Sequence, residues 1–78
     1  MNILDRIVLF RHSVTETIQA SQTLRIFHTA SRDVPLILKF SYAGNVQYHR
    51  LDPAELHVLA AEIGKALAAV EKAPPHRD

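Results

Sequence analysis

The chain contains no cysteine, and among its 78 residues only two are glycine, Gly44 and Gly64. Without cysteine no disulfide can brace the fold and no thiolate can hold a metal. Such usage fits a reducing compartment. Two isolated glycines cannot build a phosphate-cradling loop. The formal net charge is only +1, so the basic stripe expected of a nucleic-acid binder is missing. No run of 18 apolar residues offers a membrane span. Asp5 and Arg6 interrupt the first apolar residues, so no secretory signal is expected and the cytoplasm is the expected location.

Size narrows the reading further. A chain of 78 residues makes a single domain, expected over residues 1–72 with a disordered tail at 73–78. A domain this small buries only about 60% of its unfolded surface, so its core is marginal. Small domains compensate with disulfides, a metal or a partner subunit. The first is excluded, and dimerisation is the simplest remaining route.

What is present concentrates in residues 35–72. Pro35–Tyr42 reads as a strand, Ala43-Gly44-Asn45 as a turn and Val46–Leu51 as a return strand. A three-residue loop pairs Tyr42 with Val46 and Phe40 with Tyr48. It gathers Leu36, Leu38, Phe40, Tyr42, Val46 and Tyr48 on the face to be buried. A two-residue loop at Gly44-Asn45 instead sets Phe40 opposite His49. The first register leaves Lys39, Ser41, Gln47 and His49 facing solvent.

A helix is expected over 53–72. Asp52 is a good N-cap, Pro53 suits the first helical position, and Glu55 stands where a capping-box acid belongs. Leu56, Leu59, Ile63, Leu67 and Val70 then fall on one face. Pro74 and Pro75 cannot continue the helix. Residues 23–29 alternate as a strand, followed by the polar turn Ser31-Arg32-Asp33.

Residues 2–20 carry no Gly or Pro to punctuate them. Ile3, Leu4, Ile7 and Phe10 have helical spacing, whereas Val14-Thr-Glu-Thr-Ile18 favours a strand. A short helix near 3–12 and a strand near 14–20 are therefore expected. The alternative is one helix from 2 to 20, giving α-β-β-β-α. The expected fold class is α+β, an antiparallel meander of three or four strands with the C-terminal helix packed across one face.

Catalytic and metal patterns are weak. The histidines are His12, His28, His49, His57 and His76, with no i, i+4 pair and no His-x-His. A metal site needs three or four convergent ligands with further support around them. None of Ser13, Ser21, Ser31 and Ser41 lies in a Gly-x-Ser-x-Gly elbow. Asp52 and Glu55 are accounted for by capping, and Glu62 and Glu71 by solvated helix positions. The expectation is a non-enzyme without metal or cofactor.

Two binding patterns remain. Tyr48-His-Arg-Leu-Asp-Pro-Ala-Glu-Leu56 is loosely similar to the last-strand-to-helix junction of PC4-like single-strand binders. That resemblance covers about the final third of the chain. It implies a curved sheet that binds single-stranded nucleic acid, on a face offering Arg25, Lys39 and His49 with Phe27. Such binders stack bases on exposed aromatics above a basic groove; in the preferred register Phe40, Tyr42 and Tyr48 face the core instead. The second pattern is a stripe of His57, Ala61, Gly64 and Ala68 beside the helix's apolar face, where small residues let another backbone approach. It suggests a helix–helix dimer contact. The resulting expectation is a non-catalytic protein-binding module, a small inhibitor or adaptor of the kind exemplified by anti-defence proteins of phages, acting as a homodimer. Single-stranded nucleic-acid binding is the alternative. Arg25, Lys39, His49, His57, Ala61, Gly64 and Ala68 are the candidate partner-binding residues.

Overall fold

The computed structural model describes residues 3–72; the expected tail at 73–78, with His76, lies outside them. The elements run α1 (Ile3–Leu9), β1 (Val14–Gln19), β2 (Leu24–Thr29), β3 (Leu36–Tyr42), β4 (Asn45–Leu51) and α2 (Pro53–Lys72). The strands form one antiparallel meander in the order β1-β2-β3-β4. This is the expected α+β fold with four strands and a short first helix. Residues 2–20 do not form a single helix. Helix α1 closes at Leu9, whose carbonyl accepts from the His12 amide at 3.0 Å. The Thr-rich segment then pairs with β2 across an irregularity between Val14 and Glu16.

Serine and threonine side chains shape the turns. At the β1–β2 connection Ser21 Oγ accepts from the amides of Thr23 and Leu24 at 3.2 and 3.1 Å. At the β2–β3 connection Ser31 Oγ accepts from the Val34 amide at 3.1 Å, and Thr29 Oγ1 from the Ser31 amide at 3.2 Å. Short hydroxyl side chains do this well because they reach backbone groups two or three residues on.

The β3–β4 hairpin departs from both expected registers. Its loop is Ala43-Gly44, with Tyr42 opposite Asn45, Ser41 opposite Val46, Phe40 opposite Gln47 and Lys39 opposite Tyr48. Both loop residues have positive φ, 50° and 80°. That is the geometry of a two-residue turn whose twist matches the strands it joins. The turn sits one residue earlier than the Gly44-Asn45 loop and one residue shorter than the Ala43-Gly44-Asn45 loop.

The buried face is reversed as well. Ile37 and Lys39 of β3 are buried, whereas Phe40 and Tyr42 are 39% and 76% exposed. The core is Leu9, Phe27 and Ile37, with Val8, Val14, Val34 and Tyr48 packed around it. Helix α1 therefore lies on the face carrying Phe27, Ile37, Lys39 and Tyr48. The opposite face, carrying Leu36, Leu38, Phe40 and Tyr42, is the one expected inside. Lys39 and Ser41, expected in solvent beside Gln47 and His49, point to the other side of the sheet from them, as the pairing requires.

Helix α2 begins as its sequence suggests. Asp52 Oδ1 accepts from the Glu55 amide at 2.8 Å, and Glu55 Oε1 accepts from the Asp52 amide at 3.1 Å. This reciprocal box satisfies two backbone donors at once. Its packing against the sheet is light. None of its 20 residues is buried, and its contacts with the sheet concentrate on β4. Leu56 and Leu59 are half-buried, while Ile63, Leu67 and Val70 on the same stripe are exposed. The radius of gyration is accordingly 15.2 Å, against about 11.5 Å for a compact domain of this length.

The reversed hairpin makes a direct prediction. Ile37→Ala should destabilise the domain by about 2–5 kcal/mol, because a fully enclosed side chain leaves a cavity. Phe40→Ala should cost about 1 kcal/mol or less, as for other partly exposed sites. Urea denaturation midpoints of the two variants check this ordering.

Candidate functional site

The two sides of the sheet present different chemistry. Under α1 lies a cluster of charged and polar groups. Asp5 is 1% and Lys39 6% exposed. Lys39 Nζ lies 2.8 Å from Asp5 Oδ1, and Arg25 Nη1 lies 4.0 Å from Asp5 Oδ2. The Tyr48 hydroxyl donates to Asp5 Oδ1, and Lys39 Nζ stands 5.8 Å from the centre of the Tyr48 ring. Arg25 is held from its other side by Gln19, whose Oε1 accepts from Arg25 Nε at 2.7 Å.

Burial raises the Asp5 pKa. The hydrogen bonds from Lys39 and Tyr48 and the charges of Lys39 and Arg25 together outweigh it, leaving the carboxyl below its ordinary 3.8. Burial, and then the hydrogen bond and negative charge of Asp5, push the Tyr48 hydroxyl well above its ordinary 10.0. These groups satisfy one another in a dry site, so the cluster fixes α1 on the sheet.

No residue on the other side of the sheet is fully buried. Strand alternation places Ile18, Leu24, Ile26, Leu36, Leu38 and Phe40 there, with Tyr42 and Leu51. Every one is half-buried or exposed. The Phe40 and His49 rings meet edge-on, 5.4 Å apart and 83° inclined. Phe40 and Tyr42, with Asn45 and Gln47, line a shallow cavity of about 240 Å³ at the hairpin end. The apolar stripe of α2 is similarly uncovered past its first turns.

The candidate residues from the sequence do not converge. Lys39 is enclosed against Asp5, and Arg25 is half-buried beside it. His49 is exposed on the opposite face. His57, Ala61, Gly64 and Ala68 are exposed on α2, and a Cβ built on Gly64 meets nothing within 4 Å. The open sheet face was missed because its residues were assigned to the core. Gly44 suits the second position of the shorter turn, but Ala43 at a φ of 50° does not mark the first, so local signal for that turn was slight. Among the described residues no group of three His, Asp or Glu side chains stands close enough to hold a metal ion. No helix among the described residues is long and apolar enough to cross a membrane. Comparison with protein-family models, with curated proteins and with solved structures gives no match.

The buried pair sets two expectations. Asp5→Ala should destabilise by about 3–5 kcal/mol, since it strands a buried ammonium. Replacing both partners, Asp5→Leu with Lys39→Met, should recover most of that loss. Guanidinium denaturation of the single and double variants checks it. The folded-state pKa of Asp5 is depressed, so its contribution is complete above the ordinary value of 3.8 and is lost as pH falls through the folded value. Tyr48 is raised, so its contribution holds below pH 10.0 and is lost as pH climbs through the folded value. Thermal melts of the wild type across acid and alkaline pH should show both losses, and the acid loss should shrink in the double variant.

Proposed function

We propose that this protein is a non-catalytic protein-binding module that works as a homodimer, as a small inhibitor or adaptor. The observation that carries the reading is the uncovered apolar sheet face, together with a 20-residue helix that buries none of its residues in its own domain. Contiguous apolar patches of that kind mark interaction surfaces.

A second copy of the chain is the occupant that fits. It brings an unpartnered amphipathic helix wherever it brings an unpartnered sheet face. A helix of 20 residues is about 30 Å long and about 10 Å across, so one footprint covers about 300 Å². Two reciprocal footprints, each counted on both surfaces, come to about 1,200 Å², the lower bound of stable interfaces. The stripe of Ile63, Leu67 and Val70 supplies the apolar core such an interface needs.

Single-stranded nucleic-acid binding has one specific observation in its favour. Phe40 and Tyr42 are free to stack bases on the open face. The same face carries Glu16, His28 and His49 but no Lys or Arg, so it lacks the cationic track such binders use. The protein-binding reading is therefore preferred.

Sedimentation equilibrium should give twice the 8.8 kDa of one chain, with a melting temperature that rises with concentration. Ile63→Asp with Leu67→Asp should yield monomers, and Phe40→Asp should do the same. If the helices paired only with each other, Phe40→Asp would stay dimeric. A wild type that sediments as a monomer at high concentration would overturn the homodimer. Salt-sensitive binding of an oligothymidylate probe would favour the nucleic-acid reading.

A further inference from the structure

The end of α1 and the last strand enclose a cavity of about 410 Å³, lined by Ile7, Val8, Phe10, Arg11, His12 and Arg50. It lies on the α1 side of the sheet, away from the open apolar face. Its lining includes Arg11 and Arg50 and no acidic residue. Neither Arg11 nor Arg50 forms an ion pair among the described residues. His12 Nδ1 is buried and has no hydrogen-bond partner.

We propose that this pocket binds the phosphate group of a small phosphate monoester. Guanidinium groups present forked donors that match phosphate oxygens, and His12, which lines the same cavity, reports on its occupancy. The two positive charges balance a group carrying about −1.5 to −2 at neutral pH. They also outweigh the partial negative charge at the carbonyl end of the short helix α1. Ile7, Val8 and Phe10 form an apolar wall for the organic body of the ester. The cavity falls within the about 300–1,000 Å³ typical of small-ligand sites. A phosphate with an aromatic substituent uses both halves of the pocket, whereas inorganic phosphate uses only one.

The test is an NMR titration of isotope-labelled protein with phenyl phosphate and, separately, with inorganic phosphate, following the His12 imidazole. Saturable shifts of His12 are expected with both probes, with tighter binding of phenyl phosphate. Arg50→Gln and Arg11→Gln alter solvent-exposed residues and should each weaken binding about ten- to a hundredfold. Shifts that rise linearly without saturation would overturn the proposal. So would equal affinity in the Arg50→Gln and Arg11→Gln variants with an unchanged amide spectrum. Saturation by an oligothymidylate but not by phenyl phosphate would also overturn it, in favour of a nucleic-acid backbone. Because the pocket is remote from the proposed dimer contact, the Ile63→Asp, Leu67→Asp variant should retain phosphate binding; the two readings therefore fail separately.

Discussion

The contact between Asp5 and Lys39, 2.8 Å apart beneath α1, determines how the two faces of the sheet are used. Hydrophobic burial alone would place a covering helix over Leu36, Leu38 and Phe40. Helix α1 instead covers the face that carries a lysine. Its own buried carboxylate would be intolerable over the apolar face, because an unpaired charge in a dry site is strongly unfavourable. Lys39 and Tyr48 stand opposite each other across β3 and β4 and meet that carboxylate together. The ion pair is thus a selector of orientation more than a source of stability, since an apolar pair of similar shape can hold a fold equally well.

That selection leaves the small domain with its apolar surface outside. The enclosed core is three residues with four more packed around it, while a sheet face and most of a helix stripe remain uncovered. A 20-residue helix gains little from propensity alone and draws most of its stability from the surface on which its apolar face rests. In α2 that surface is β4 for the first turns only. The area the chain does not bury within itself is the area that the proposed homodimer would offer to a second copy.

Much of the fold was legible in the residues. Asp52, Pro53 and Glu55 mark the start of α2 through their chemistry, and the capping box forms between the atoms that chemistry names. The strands follow from alternation, because side chains on a pleated chain point to opposite faces. The hairpin register was not legible, for two reasons. Ala43 adopts a φ of 50°, unusual for a residue with a Cβ, so nothing local pointed to a turn centred there. Pattern counting also assumes that the most apolar face is the one the chain itself covers, and an uncovered surface breaks that assumption. Asp5 read as a mere interruption of apolar residues, because nothing local shows which lysine it will meet. The pocket of Arg11, His12 and Arg50 was hidden likewise: Arg50 joins the others only through the sheet.

The reach of the Tyr48–Asp5 hydrogen bond, 43 residues along the chain, has a consequence for the order of assembly. During synthesis the first helix emerges before either of the strands that anchor it exists. Val8 and Leu9, which pack into the core, must wait in water with Asp5 until β3 and β4 have left the ribosome and paired. Only then can the carboxylate exchange its hydration for the ammonium and the phenol. Long-range closures of this kind come late because chain entropy must be surrendered before they return anything. Helix α1 is therefore secured only after the strands that follow it.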